Sequence, residues 1–87
     1  MDVTAEKTVT VYVTPSNIAC TATLRHMNSF GIQYATEDIT RNASAQQEVE
    51  KLGYKEYPVT VAGDEHWAGF RPELIREHLR PGAGILK

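Results

Sequence analysis

Thr8-Val9-Thr10-Val11-Tyr12-Val13-Thr14-Pro15-Ser16-Asn17-Ile18-Ala19-Cys20 changes its hydrophobic period at the proline. As far as Thr14, valine alternates with threonine or tyrosine and every residue is β-branched or aromatic, the pattern of a strand with one strongly apolar face. Pro15 ends that pattern. Beyond it Cys20, Leu24 and Met27 recur at spacings of four and three, which places them on one face of a helix running to about Ser29 or Phe30. Gly31 stands where a left-handed residue closes the last turn. Ile32 to Glu37 reads as a second short strand with Ile32 and Tyr34 on one face. A strand, a helix and a strand in succession predict a right-handed parallel crossover.

The remainder extends this start. Asn42 and Ser44 are both candidate N-caps for a helix through Leu52, with Gln47 three residues after Ser44 completing a capping-box pattern and Gly53 ending the helix. Pro58-Val59-Thr60-Val61-Ala62 is a third strand, and Gly63-Asp64 turns the chain into a brief fourth strand around His66-Trp67. A last helix opens near Pro72, whose missing N–H suits a first helical position. It carries Leu74, Ile75, His78 and Leu79 on one side, and Pro81 forbids its extension. The order β-α-β-α-β-β-α, with an antiparallel β3–β4 hairpin, predicts an α/β fold: a four-stranded mixed sheet with helices on both faces. Residues 1–7 and 81–87 read as flexible ends of one domain over 8–80.

Composition narrows the function. The 87 residues hold 9 Lys+Arg against 11 Asp+Glu, a formal net charge of −2, and the signs are scattered. No basic stripe is long enough to neutralise phosphates, so nucleic acid is not an expected partner. No apolar run approaches the roughly 18 to 20 residues of a membrane span, and the polar start lacks the apolar centre of a secretory signal, so the chain reads as cytoplasmic. The single cysteine, Cys20, cannot form an internal disulfide. It is a small buried apolar residue, a reactive thiol, or an intermolecular partner. His26, His66 and His78 lie on different elements with no ligand spacing to Cys20, and no metal site is expected. Glu73 and Glu77, flanked by Arg76 and Arg80, read as a solvated face. Pro81-Gly82-Ala83-Gly84 has neither the preceding strand nor the following Lys-Ser/Thr of a phosphate loop.

With Pro15 before the first helix and Pro58 opening the third strand, this order of elements resembles the thioredoxin superfamily, and within it the NrdH-type redoxins, which are small glutaredoxin-like proteins. The match is carried by Val9-Thr10-Val11-Tyr12, Pro15 to Thr23, Leu52-Gly53-Tyr54, Tyr57-Pro58-Val59 and, most specifically, His66-Trp67-Ala68-Gly69-Phe70-Arg71-Pro72. The resemblance implies a thioredoxin fold and a dithiol protein that takes electrons from thioredoxin reductase and passes them to a ribonucleotide reductase. In the family pattern Pro-x-Cys-x-x-Cys the first thiolate attacks a disulfide and the second resolves the mixed disulfide. Here Asn17 stands at the attacking position and only the resolving position, Cys20, keeps its thiol. A helix start stabilises a thiolate through its unpaired N–H groups and dipole, but Asn17 has no nucleophilic atom to activate. It is instead a good N-cap, able to accept from the N–H of Ala19 or Cys20, worth about 1 kcal/mol relative to Ala.

By the same resemblance Pro58 is a cis proline. Tyr57 and Pro58 then form one wall of a groove for a bound protein, and Ser16, Asn17 and Ile18 form the other. Read without the resemblance, Ser16 is a turn or cap residue and Pro58 a strand-edge proline. Trp67 and Phe70 are either a docking surface or packing that locks their loop to the last helix, with packing the favoured reading for Phe70. Arg71 is expected to bond carbonyls of that loop, and Gly69 to serve a backbone conformation or close approach. Glutathione is a weak prospect, because Thr14 stands where a Lys is common and the nearest cations, Arg25 and Arg41, lie some distance along the chain. No cofactor is expected.

Three readings of the activity follow: a protein-binding module that has lost dithiol turnover, a single-thiol protein forming mixed disulfides through Cys20, or a chain whose parent carries Cys at 17. Whether this copy is an enzyme stays open at the level of sequence.

Overall fold

The structure is a computed structural model that describes residues 9–79; the expectations for 1–7, Thr8, Arg80, the Pro81 stop and 82–87 fall outside them. Seven elements follow in order: β1 (Val9–Val13), α1 (Ile18–Ser29), β2 (Ala35–Asp38), α2 (Ala43–Leu52), β3 (Val59–Ala62), β4 (Glu65–Ala68) and α3 (Pro72–His78). One sheet runs β2-β1-β3-β4. β1 pairs with β2 in parallel, in the register Thr10 to Ala35, and with β3 antiparallel, Val11 opposite Thr60. β3 and β4 form the expected hairpin, Thr60 opposite Trp67.

The period of two in β1 sorts the molecule into layers. Val9 and Val11 join Ala62 and Trp67 on one face, where Met27 from α1 and Ile75 from α3 complete the principal core, with Leu79 just beyond α3. The alternate residues Thr10 and Tyr12 face α2, and together with Glu37, Asn42, Ser44, Ala45 and Glu48 they line a small polar cleft. Ala45 and Val49 are the side chains α2 buries. This is the architecture the element order predicts.

Local physics explains the boundaries, including those that differ from expectation. β2 starts at Ala35 instead of Ile32, because the residues before it close α1. The Ile32 N–H donates to Met27 O at 3.0 Å and that of Gly31, at φ 70°, to Asn28 O at 3.1 Å. Tyr34 donates its hydroxyl to Asn28 Oδ1 at 2.9 Å. Ile32 is buried nonetheless, as part of the helix end and not of the ladder. Of the two candidate caps for α2, Asn42 is used, its Oδ1 accepting from Ala45 N at 3.1 Å. The Ser44–Gln47 box does not form, since the helix has already begun at Ala43. Gly53 closes α2 in the left-handed region at φ 86°. β3 begins one residue late, after Pro58, and Pro72 is the first residue of α3.

Candidate functional site

β1 delivers the chain to a short turn, Thr14 to Asn17, in which Ser16 is the sole non-glycine residue at positive φ (57°) among the described residues. Asn17 then caps α1 with extended backbone, φ −113° and ψ 118°. Its Oδ1 accepts from Cys20 N at 3.2 Å, its Nδ2 donates to Thr14 Oγ1 at 3.2 Å, and its carbonyl accepts from the N–H and hydroxyl of Thr21. The side chain is thus engaged at both ends. An amide so held orders the turn and satisfies one of the helix's unpaired N–H donors.

Cys20 is a free thiol on the inner side of α1, 4% exposed, on the face that also buries Thr23 and Met27. One residue pair along, the chemistry of the surface is the opposite. Ile18 is 86% exposed, and it lines a shallow depression of about 370 Å³ with Ser16, Asn17, Thr21, Ala22 and Arg25.

Tyr57 and Pro58, the second expected wall, do not line this depression, although Val59, next to Pro58, pairs with Tyr12 near the end of β1 that leads into the turn. The Tyr57–Pro58 peptide bond is cis; Pro58 is buried and Tyr57 half-buried. Pro58 O accepts from Gly69 N at 2.8 Å, which ties the proline to the 66–72 segment. Gly69 is required on two counts: its φ is 84°, and a Cβ there would lie 3.0 Å from Glu56 Oε2. Trp67 is 4% exposed and stacks on His78 with ring centroids 5.7 Å apart, so its side chain is core. Its indole Nε1 is buried without a hydrogen-bond partner among the described residues. Phe70, expected to pack, is instead 39% exposed and makes an edge contact with His26 of α1, 5.7 Å between centroids. Among the described residues Arg71 bonds no loop carbonyl. Its Nε donates to Glu73 Oε2 at 2.7 Å, a bond that lowers the Glu73 pKa.

The structure therefore brings Ser16, Asn17 and Ile18 together, links Pro58 to Gly69, and removes Trp67 to the interior. Thr21 and Ala22, with Arg25, are lining residues that the motif reading passed over. Their spacing from Ile18, at i+3, i+4 and i+7, was the available signal. Among the described residues, no group of three or more His, Cys, Asp or Glu side chains is placed to hold a metal ion, and no helix is long and apolar enough to cross a membrane.

Comparison with known proteins agrees with this geometry. A glutaredoxin family model matches residues 9–67, more than half of the chain. The chain belongs to the glutaredoxin family. It is 34% identical over 76 residues to the glutaredoxin-like protein NrdH of Escherichia coli, covering 86% of this chain and 94% of that one. The solved NrdH-redoxin from Escherichia coli superposes with a TM-score of 0.79 at 33% identity, over 84% of this chain and 95% of that one. A glutaredoxin from Archaeoglobus fulgidus follows with a TM-score of 0.72 and 25% identity, over 85% and 87% of the two chains. The thioredoxin fold and the NrdH-like character implied by the sequence are both shown. This is a glutaredoxin-like redox-family chain whose one cysteine is buried.

Proposed function

We propose that this glutaredoxin-family chain binds a partner protein at the start of α1 and does not turn over as a dithiol reductase. The supporting observation is the state of the two positions that would do the chemistry. Asn17, at the place of the attacking cysteine by resemblance, is spent on capping the helix, and Cys20 is 4% exposed beneath it. Dithiol reduction of a disulfide needs a thiolate that an incoming disulfide can reach, and a second thiol on the same chain to resolve the adduct. A carboxamide supplies neither. The retained features, an exposed Ile18 beside a depression and the Pro58–Gly69 link, are those of a surface for a polypeptide. By resemblance the partner is a ribonucleotide reductase or a thioredoxin reductase; glutathione is not an expected ligand, since Thr14 stands where a Lys is common.

The test is reduction of a protein disulfide, such as that of insulin, driven by NADPH and a thioredoxin reductase. The expected result is no rate above that of the reductase alone, and turnover by the native chain would overturn the proposal. Asn17→Cys separates a lost thiol from a diverged surface: activity gained by that variant means the scaffold is otherwise competent. The single-thiol reading, in which Cys20 forms mixed disulfides, is opposed by its burial. It requires Cys20 to react with a thiol reagent in native buffer at a rate comparable to that in denaturant.

A further inference from the structure

Charge is distributed unevenly along this chain. From Thr8 to Thr36 the one formally charged residue is Arg25, and the first acidic residue after Glu6 is Glu37. α1 sits wholly inside this stretch. Its outward residues include Ile18, Thr21 and Arg25, an aliphatic, a hydroxyl and a guanidinium, with no carboxylate in its first turn or elsewhere on the helix. Exposed helix faces ordinarily carry mixed charge; depletion of charge with retention of arginine marks the centre of a protein interface. Arg25 makes no hydrogen bond or ion pair among the described residues. Arg25 lines the depression that Ile18 and Ala22 also line.

We infer that this stripe of α1 docks an extended segment of a partner protein that carries a carboxylate about three residues from an apolar side chain. The inference rests on the protein-binding reading above and specifies the partner's chemistry. Ile18 and Arg25 are seven residues apart, which at about 1.5 Å per residue separates them by roughly 10 Å along the helix. In an extended segment of the polyproline II type, three residues at about 3.1 Å each span nearly the same distance, and its three residues per turn return both side chains to one face. The apolar side chain rests on Ile18 and Ala22, and the carboxylate takes the bidentate pairing that a guanidinium fork offers. Beyond α1 the described residues carry an excess of carboxylates over cations, and every described acidic residue lies from Glu37 onward, which disfavours such a segment elsewhere on the molecule. A partner helix fits less well, because the apolar pair is interrupted by Thr21 and followed by Arg25.

The experiment is an amide-shift titration of the full-length isotope-labelled chain with two Gly/Ser-flanked decapeptides at low salt, one containing Leu-Gly-Gly-Asp and the other Leu-Gly-Gly-Asn. The Asp peptide is expected to shift the amides of Ile18, Thr21, Ala22 and Arg25 and to bind at least five-fold more tightly than the Asn peptide. Arg25→Gln is expected to abolish that difference and Arg25→Lys to retain part of it. Equal binding of the two peptides at α1 overturns the carboxylate assignment and leaves the protein-binding reading standing. Absence of α1 shifts with either peptide overturns both.

Discussion

α1 and α2 begin in the same way and face solvent in different ways. Asn17 and Asn42 each adopt extended backbone and each accept, through Oδ1, from the N–H three residues on, at 3.2 and 3.1 Å. Nothing in this geometry distinguishes the cap at Asn17, where the resemblance places the attacking cysteine, from an ordinary structural one. Their surfaces do. α2 exposes Gln46, Gln47, Glu48, Glu50 and Lys51, with Lys51 Nζ 3.8 Å from Glu48 Oε2, the dress of a solvated helix. α1 exposes Ile18 and Thr21 around a depression, with Arg25 its one formal charge. The cap reports on helix stability; the composition of the outer face reports on use.

The comparison can be broken first at the buried sides. Met27 of α1 is fully buried in the principal core, so Met27→Ala is expected to cost about 2–5 kcal/mol in denaturant unfolding. Val49→Ala, which removes fewer atoms from α2's side of the sheet, should cost less; the reverse order would mean that α2 anchors the fold. Cys20→Ser comes next, placing a hydroxyl where the thiol is buried, at a cost of about 1–3 kcal/mol if the hydroxyl finds no partner. A neutral result would show that Cys20 is reached by water, and would return weight to single-thiol chemistry.

The two caps themselves come third. Asn17→Ala and Asn42→Ala should each lower stability by about 1 kcal/mol, and by similar amounts. A stabilising Asn17→Ala would show that the amide is held there against the fold's preference. On the outer faces the expected stability effects of Ile18→Ser and Lys51→Ala are each within about 0.5 kcal/mol. Only Ile18→Ser should weaken capture of a partner protein, a contrast that unfolding curves and binding isotherms measure separately.

The smallest effect concerns pH. The Asp38 carboxyl, at the end of β2, accepts from the hydroxyl of Thr40 at 2.6 Å and from its N–H at 2.9 Å, which holds its pKa below the usual carboxylate value. A group whose pKa falls on folding contributes stability above its unfolded pKa of about 3.9, and that contribution is lost as pH drops through the lower native value. Asp38→Asn should therefore flatten the acid limb of the stability profile slightly below about pH 4. An unchanged profile would mean the bonds to Thr40 do not persist in solution.

Legibility in the sequence followed the range of the interaction concerned. The cap at Asn17, the stops at Gly31 and Gly53 and the start at Pro72 were readable, because each depends on a residue's own backbone preferences and on neighbours three or four positions away. The start of β2 departs from the apolar alternation of Ile32 and Tyr34, because those residues serve the end of α1 and not the sheet. The choice between Asn42 and Ser44 turned on where the helix first forms. Arg71 found a carboxylate two residues away where a loop carbonyl was expected.

By itself the sequence determined the β-α-β-α-β-β-α order, the family likeness and the absence of a second thiol. Those follow from local periodicity and from which atoms are present at all. Only the tertiary structure decided that Cys20 lies inside and Ile18 outside, that Trp67 is core and Phe70 surface, and that Arg25 shares a depression with the helix start. Burial depends on which distant segments arrive against a face, here Thr60 and Trp67 from the β3–β4 hairpin and Ile75 from α3. No spacing within one helix specifies those arrivals.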